Sequence, residues 1–142
     1  MNQSDPPDEP VTTNRGAALA QILICDGCCC GRVDRGYPAV PRDWLKAQWK
    51  SRKLNRHVQL TISGCLGPCD VANVVAILSR GGCTWLGELT REDQYEALLA
   101  WAVAAAETGA VPPLPADLQR HRFSRFDAAI GTPLSVSGAT GQ

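Results

Sequence analysis

Apolar and polar positions along the chain change period several times. Gln21-Ile22-Leu23-Ile24 is a short apolar run that stops at Cys25 and Gly27, the pattern of a buried strand. Residues 31–40 contain Gly36 and Pro38 and read as a loop. Pro41 opens a helix at the position where its missing N–H costs nothing. Trp44, Leu45, Gln48 and Trp49 share one face of that helix, which is predicted to run to about Leu54. Over 57–63 the period drops to two: Val58, Leu60 and Ile62 face one way, Gln59 and Thr61 the other. After a loop over 64–70, residues 73–78 form a second β-rich run. A turn at Arg80-Gly81-Gly82 and a short strand over 83–86 make a hairpin of it. Thr90, with Asp93 three residues on, caps a long helix. Its core face carries Tyr95, Leu98, Leu99, Ala102, Val103 and Ala106, and Gly109 ends it.

The order strand, helix, strand, strand, strand, helix predicts an α/β fold: a mixed sheet flanked by helices, in thioredoxin order. Residues 1–17 are polar and Pro/Asp-rich, a composition that cannot bury a core, and are expected to form a disordered tail. The Pro-rich segment 111–115 closes the compact region. Beyond it, 116–126 has Leu118, Arg122 and Phe126 at helical spacing and predicts one short helix, while 130–142 is Gly/Ser/Thr-rich and expected to be loose. The expected organisation is one domain over 18–110 with flexible extensions over 1–17 and 111–142. No internal repeat is present.

Composition narrows the function. The formal net charge is zero, which removes any whole-chain argument for nucleic acid or a membrane surface as partner. No apolar run approaches the roughly 20 residues that span a bilayer. The first residues carry Asp and Pro where a secretory signal needs a basic start and an apolar stretch. The expected location is therefore the cytoplasm. There the seven cysteines meet a reducing environment, in which clustered cysteines bind metal or do redox chemistry more often than they form disulfides. An odd number also argues against a disulfide framework.

Two pairs stand out. Cys25 and Cys30 are separated by four residues, Cys65 and Cys69 by three, with 34 residues between the pairs. Each pair lies in a loop directly after a strand, so neighbouring strands would bring both loops to one end of the sheet. Iron–sulfur clusters take thiolate ligands, usually four, on short loops whose N–H groups point at the sulfurs. Gly27, Gly31, Gly64 and Gly67 allow the backbone close approach. The run Cys25-Asp26-Gly27-Cys28-Cys29-Cys30-Gly31, together with Gly64-Cys65-Leu66-Gly67-Pro68-Cys69, resembles the thioredoxin-like 2Fe–2S ferredoxins. These include the ferredoxin-type small subunit of respiratory complex I and related hydrogenase subunits. The resemblance covers about residues 22–106, and the second motif is its more specific part. It implies a 2Fe–2S cluster on Cys25, Cys30, Cys65 and Cys69, one-electron transfer to a partner redox enzyme rather than catalysis, and a tendency to pair as a homodimer. Cys28 and Cys29 depart from the family pattern, and either is an alternate to Cys30. More faintly, the Cys-Cys-Cys run is similar to small proteins linked to cobalamin-pathway genes.

Two other chemistries fit the cysteines. A structural zinc site also takes four cysteines at loop spacings of two to four, which would make the chain a zinc-stabilised interaction module. Cys25-x-x-Cys28 has the spacing of a thiol–disulfide oxidoreductase, although Gly31, Gly36, Pro38 and Pro41 delay the helix that such a site needs. Cys83 reads as a packed or half-buried thiol, His57 and His121 as surface histidines, and the four tryptophans as core. Arg42, Lys46, Lys50, Arg52, Lys53 and Arg56 crowd the first helix and its exit against Asp43. They form either a solvated face or a docking surface for an acidic redox partner. Arg32, Asp34 and Arg35 lie close to the first cysteine loop, where they could tune a cluster. No Ser-His-Asp group, paired carboxylates or phosphate-cradling loop is apparent.

Overall fold

Strand β1 (Ala20–Cys25) is the continuous apolar run, and it takes an inner place in the sheet. The computed structural model describes residues 16–126. The tail expected over 1–15 and the loose stretch expected over 130–142 lie outside the described residues. Strand β2 (Val58–Ser63), with its alternating pattern, is an edge: its Gln59 is exposed and Val58 is fully buried. β2 lies parallel to β1, joined through helix α1 (Arg42–Ser51), with Ile22 opposite Leu60 and Ile24 opposite Ile62. On the other side β3 (Val75–Ser79) runs antiparallel to β1, and β4 (Gly82–Leu86) returns antiparallel to β3. The sheet order β2-β1-β3-β4, with only β3 reversed, is the thioredoxin arrangement that the element order predicted.

Register places Ile22, Ile24, Leu60, Ile62, Val75, Ile77 and Leu86 on one face. Leu45 and Trp49 of α1, and Tyr95, Leu98, Trp101 and Ala102 of helix α2 (Glu92–Thr108), pack into the same cluster. Both long helices therefore cover one face of the sheet. The Trp49 indole N–H donates to the Val58 carbonyl at 2.8 Å, so this large ring is buried with its polar atom satisfied.

Three boundaries differ from expectation. Pro41 stands just before the first helical residue as the cap, and α1 ends at Ser51. Lys53 then turns left-handed, and a 3-10 turn over Leu54–Arg56 still delivers Leu54 to the core. The Thr90/Asp93 cap is replaced by Gln94, whose Oε1 accepts the N–H groups of Thr90 (2.8 Å) and Arg91 (2.9 Å). A buried amide serves two donors at once here, while Asp93 turns outward to pair with Arg91 at 2.9 Å.

The third difference is the C-terminal segment. Helix α3 (Ala116–Gln119) is only one turn long, not the helix expected to Phe126. The chain leaves it because the edge of β4 offers ladder partners: Leu86 bridges Arg122, and the Phe123 N–H donates to the Trp85 carbonyl at 3.0 Å. Leu118 is completely buried in the main core. His121, expected at the surface, is half-buried and works as a clasp. Because Gln94 Oε1 is already engaged, its Nε2 donates to His121 Nε2 (2.7 Å), which leaves Nδ1–H to donate to the Gly87 carbonyl (2.9 Å). Among the described residues, no helix is long and apolar enough to cross a membrane.

Candidate metal centre

β1 and β2 are parallel neighbours, so the loops after Cys25 and Ser63 emerge at the same end, where β3 also begins. The main chain knits them together: the Asp26 N–H donates to the Ser63 carbonyl (3.0 Å) and the Cys25 N–H to the Val74 carbonyl (3.1 Å). The first loop then folds into a tight turn in which the Gly27 N–H reaches the Cys30 carbonyl at 2.9 Å. Cys28 and Cys29 are the two residues at the tip. Cys28 has φ +51°, and its side chain is exposed. In the second loop the Cys69 N–H donates back to the Gly67 carbonyl at 2.8 Å, and Cys69 opens a 3-10 turn over Cys69–Val71.

The result is a concentration of sulfur. Cys65 Sγ lies 3.5 Å from Cys69 Sγ, and Cys69 Sγ lies 3.7 Å from Cys28 Sγ. These three sulfurs all fall within 4.8 Å of one another. Cys65 and Cys28 are exposed and Cys69 is half-buried. Cys25 and Cys30 are buried together in a small cluster with Ala72 and Val74. Cys30 Sγ accepts the Val74 N–H at 3.3 Å. Cys29 and Tyr37 both pack against this cluster.

Protons are held unequally across this group. The hydrogen bond from Cys30, helped by the Leu66 N–H, draws Cys25 down to about 7 against the cost of burial. Its partner Cys30 is held well above the ordinary thiol range, because it is the donor of that bond and is buried. Cys69 is pushed up to about 12 by its hydrogen bonds to Cys65 and Cys28. Sulfur crowding of this kind is costly for free thiolates and is relieved by a cation that several of them share.

Asn73 fixes the two loops relative to each other. It is fully buried; its Oδ1 accepts the Gly31 N–H (3.0 Å) and its Nδ2 donates to the Pro38 carbonyl (2.8 Å). Gly31 has φ +75°, and a Cβ there would stand 2.6 Å from Asp26 Oδ1 and 3.2 Å from Val40 Cγ2, so a side chain at this joint is strained. Asn73→Ala is expected to leave both partners unsatisfied and cost about 1–3 kcal/mol, read as a lower midpoint with unchanged slope in urea denaturation.

Arg42 at the start of α1 pairs with Asp26 at 3.1 Å. Arg32 is bidentate to Asp34 at 2.9 and 2.8 Å, an exposed pair that spends its charge locally. Arg35 instead donates to the Cys28 carbonyl at 3.2 Å. Cys83 lies on β4 and is exposed, not packed, because β4 is an edge strand whose register turns Cys83 away from the helices. Asn73, Tyr37 and the C-terminal segment escaped the sequence reading. A lone amide inside the apolar run 71–77 was the one available signal for Asn73.

No family model matches the chain, and no curated protein matches it. Among solved structures, it is similar to the wild-type thioredoxin-like [2Fe-2S] ferredoxin from Aquifex aeolicus. The identity is 19% and the TM-score 0.45, over 77% of this chain and 100% of that one. A second structure of a thioredoxin-like [2Fe-2S] ferredoxin from Aquifex aeolicus matches at 20% identity and TM-score 0.42, over 82% of this chain and 96% of that one.

Proposed function

We propose that this protein is a 2Fe–2S carrier that passes single electrons to a partner redox enzyme. The observation that carries the reading is the convergence of Cys28, Cys65 and Cys69 within 4.8 Å at the sheet end. The donor set fits the group: it is all sulfur, and soft thiolates select iron–sulfur clusters, zinc or copper(I) over hard cations. Bound there, the cluster would supply one-electron acceptance and release. The chain itself supplies ligation, partial burial and docking.

The proposed ligands are Cys25, Cys28, Cys65 and Cys69. Cys28 takes the place that the family pattern assigns to Cys30, because its exposed sulfur lies 3.7 Å from that of Cys69 and within the three-sulfur group. Cys25, although as buried as Cys30, completes the set because the family pattern assigns it. An acidic one-electron partner is proposed to dock at this end, beside Arg35 and the Arg42 end of α1. Docking farther along the basic helix would move the partner about 1.5 Å from the sulfurs with every residue.

Zinc remains the second reading, on the same donor set. What disfavours it as a structural staple is the size of the core, in which Trp49, Tyr95, Leu45, Leu98 and Leu118 are all fully buried. Structural zinc is characteristic of small domains that lack such a core. A thiol–disulfide site at Cys25 and Cys28 is disfavoured because α1 starts only at Arg42, so neither cysteine meets a helix N-terminus. The deciding experiment is iron, acid-labile sulfide and zinc analysis with a visible spectrum on protein purified without oxygen. About two irons and two sulfides per chain, with colour bleached by dithionite, is the expected result. A colourless protein with about one zinc per chain would overturn it.

A further inference from the structure

The C-terminal segment ends, among the described residues, against the second cysteine loop. From its anchors on Trp85, Leu86 and Gly87, the chain carries Phe123, Arg125 and Phe126 back over the β4 edge. Phe123 and Phe126 both meet the Trp85 ring edge-on at 6.2 Å. The Arg125 guanidinium is clamped between aromatic rings, 5.4 Å from the centre of Trp85 and 5.7 Å from that of Phe126. Its Nε is buried with no hydrogen-bond partner. The fork end rests on Gly67, midway between Cys65 and Cys69: a Cβ at Gly67 would stand only 2.7 Å from Arg125 Nη2. Gly67 also has φ +118°, so two independent constraints keep a side chain from coming between the cation and the loop.

We propose that Arg125 is a charge-compensating positioning residue for the cysteine centre, delivered by the C-terminal segment. Four thiolates around a divalent metal or a 2Fe–2S unit leave a net negative site, and one-electron reduction makes it more negative still. A permanent cation held against the Cys65–Cys69 loop therefore favours metal loading and favours the reduced over the oxidised state. The aromatic clamp keeps the guanidinium in place and excludes water from one side of it, which strengthens its field at the loop. The metal-loading half of this assignment holds for zinc as for a cluster. The redox half rests on the 2Fe–2S reading.

The test compares Arg125→Gln and Arg125→Lys with the parent full-length chain in two measurements. The first is cadmium affinity of metal-free protein, followed by thiolate-to-metal absorbance against a chelator. The second is the reduction potential of the iron-loaded protein. Arg125→Gln is expected to weaken cadmium binding about tenfold and to shift the oxidised-to-reduced ratio about tenfold toward the oxidised form. For one electron that is about 59 mV more negative. Arg125→Lys keeps the charge and is expected to retain most of both. If the parent chain holds no iron and sulfide but Arg125→Gln still loses cadmium affinity, the cluster reading falls and the assignment of Arg125 stands. Cadmium affinity unchanged in Arg125→Gln, or equal losses in the Gln and Lys variants, would overturn the assignment.

Discussion

Cys28→Ser is expected to strip the protein of most of its iron, sulfide and visible colour, as are Cys65→Ser and Cys69→Ser, whereas Cys30→Ser keeps all three. The contrast follows from where the sulfurs point. Cys28 sits at the tip of a tight turn with φ +51°, and its sulfur lies 3.7 Å from that of Cys69. Cys30, two residues on, has returned to the interior, where it is almost wholly buried and accepts the Val74 N–H. A serine hydroxyl does not deprotonate as a thiol does and is a poor substitute ligand for iron. At position 30, however, a hydroxyl can still accept the Val74 N–H, so the loop keeps its shape. The measurement is iron and sulfide per chain beside a visible spectrum for each single variant. Loss in Cys30→Ser with retention in Cys28→Ser would restore the family-like set of Cys25, Cys30, Cys65 and Cys69.

Removal of residues 111–142 is expected to be as damaging to the fold as those substitutions are to the centre. Leu118 has no exposed surface and belongs to the main core, with Leu114 packed against it. The Trp101 indole N–H donates to the Pro112 carbonyl at 2.8 Å, and Gln94 donates to His121. Truncation would open the core beside Trp101 and leave two buried donors unpaired. Leu118→Ala alone is expected to cost about 2–5 kcal/mol. A loss near the middle of that range lowers Tm by roughly 10–15 °C for a chain of this size. Thermal melts of Leu118→Ala and of the truncated chain, followed by circular dichroism, check this. A melt unchanged by Leu118→Ala would mean that α3 does not seal the core.

The two experiments bear on each other through Arg125. A segment that only shielded the core could end at His121. Continuation to Phe126 adds the aromatic clamp on Trp85 and the guanidinium on the Gly67 loop. Core packing and electrostatics of the centre are thus carried by successive stretches of one short segment.

Local pattern was enough for the sheet. The apolar run at 21–24 is an inner strand, paired with β2 on one edge and β3 on the other, and 57–63 alternates because an edge strand has one wet face. Element order then left few topologies, and the thioredoxin arrangement was among them. That cysteines gather at one sheet end was also legible, since two loops following parallel neighbouring strands must emerge together. Which cysteines meet was not. Three consecutive cysteines in a tight turn differ only in backbone direction, and that is decided by the Gly27–Cys30 closure and by the hold of Asn73 on Gly31 and Pro38, 42 and 35 residues away in sequence. The C-terminal segment escaped for the same reason. Leu118, Arg122 and Phe126 have helical spacing, but an open strand edge at β4 and the buried Gln94 amide offer that stretch better hydrogen-bond partners than its own backbone does. Periodicity records which face of an element is buried. Competition between distant donors and acceptors is settled only once the chain has folded and they stand within reach.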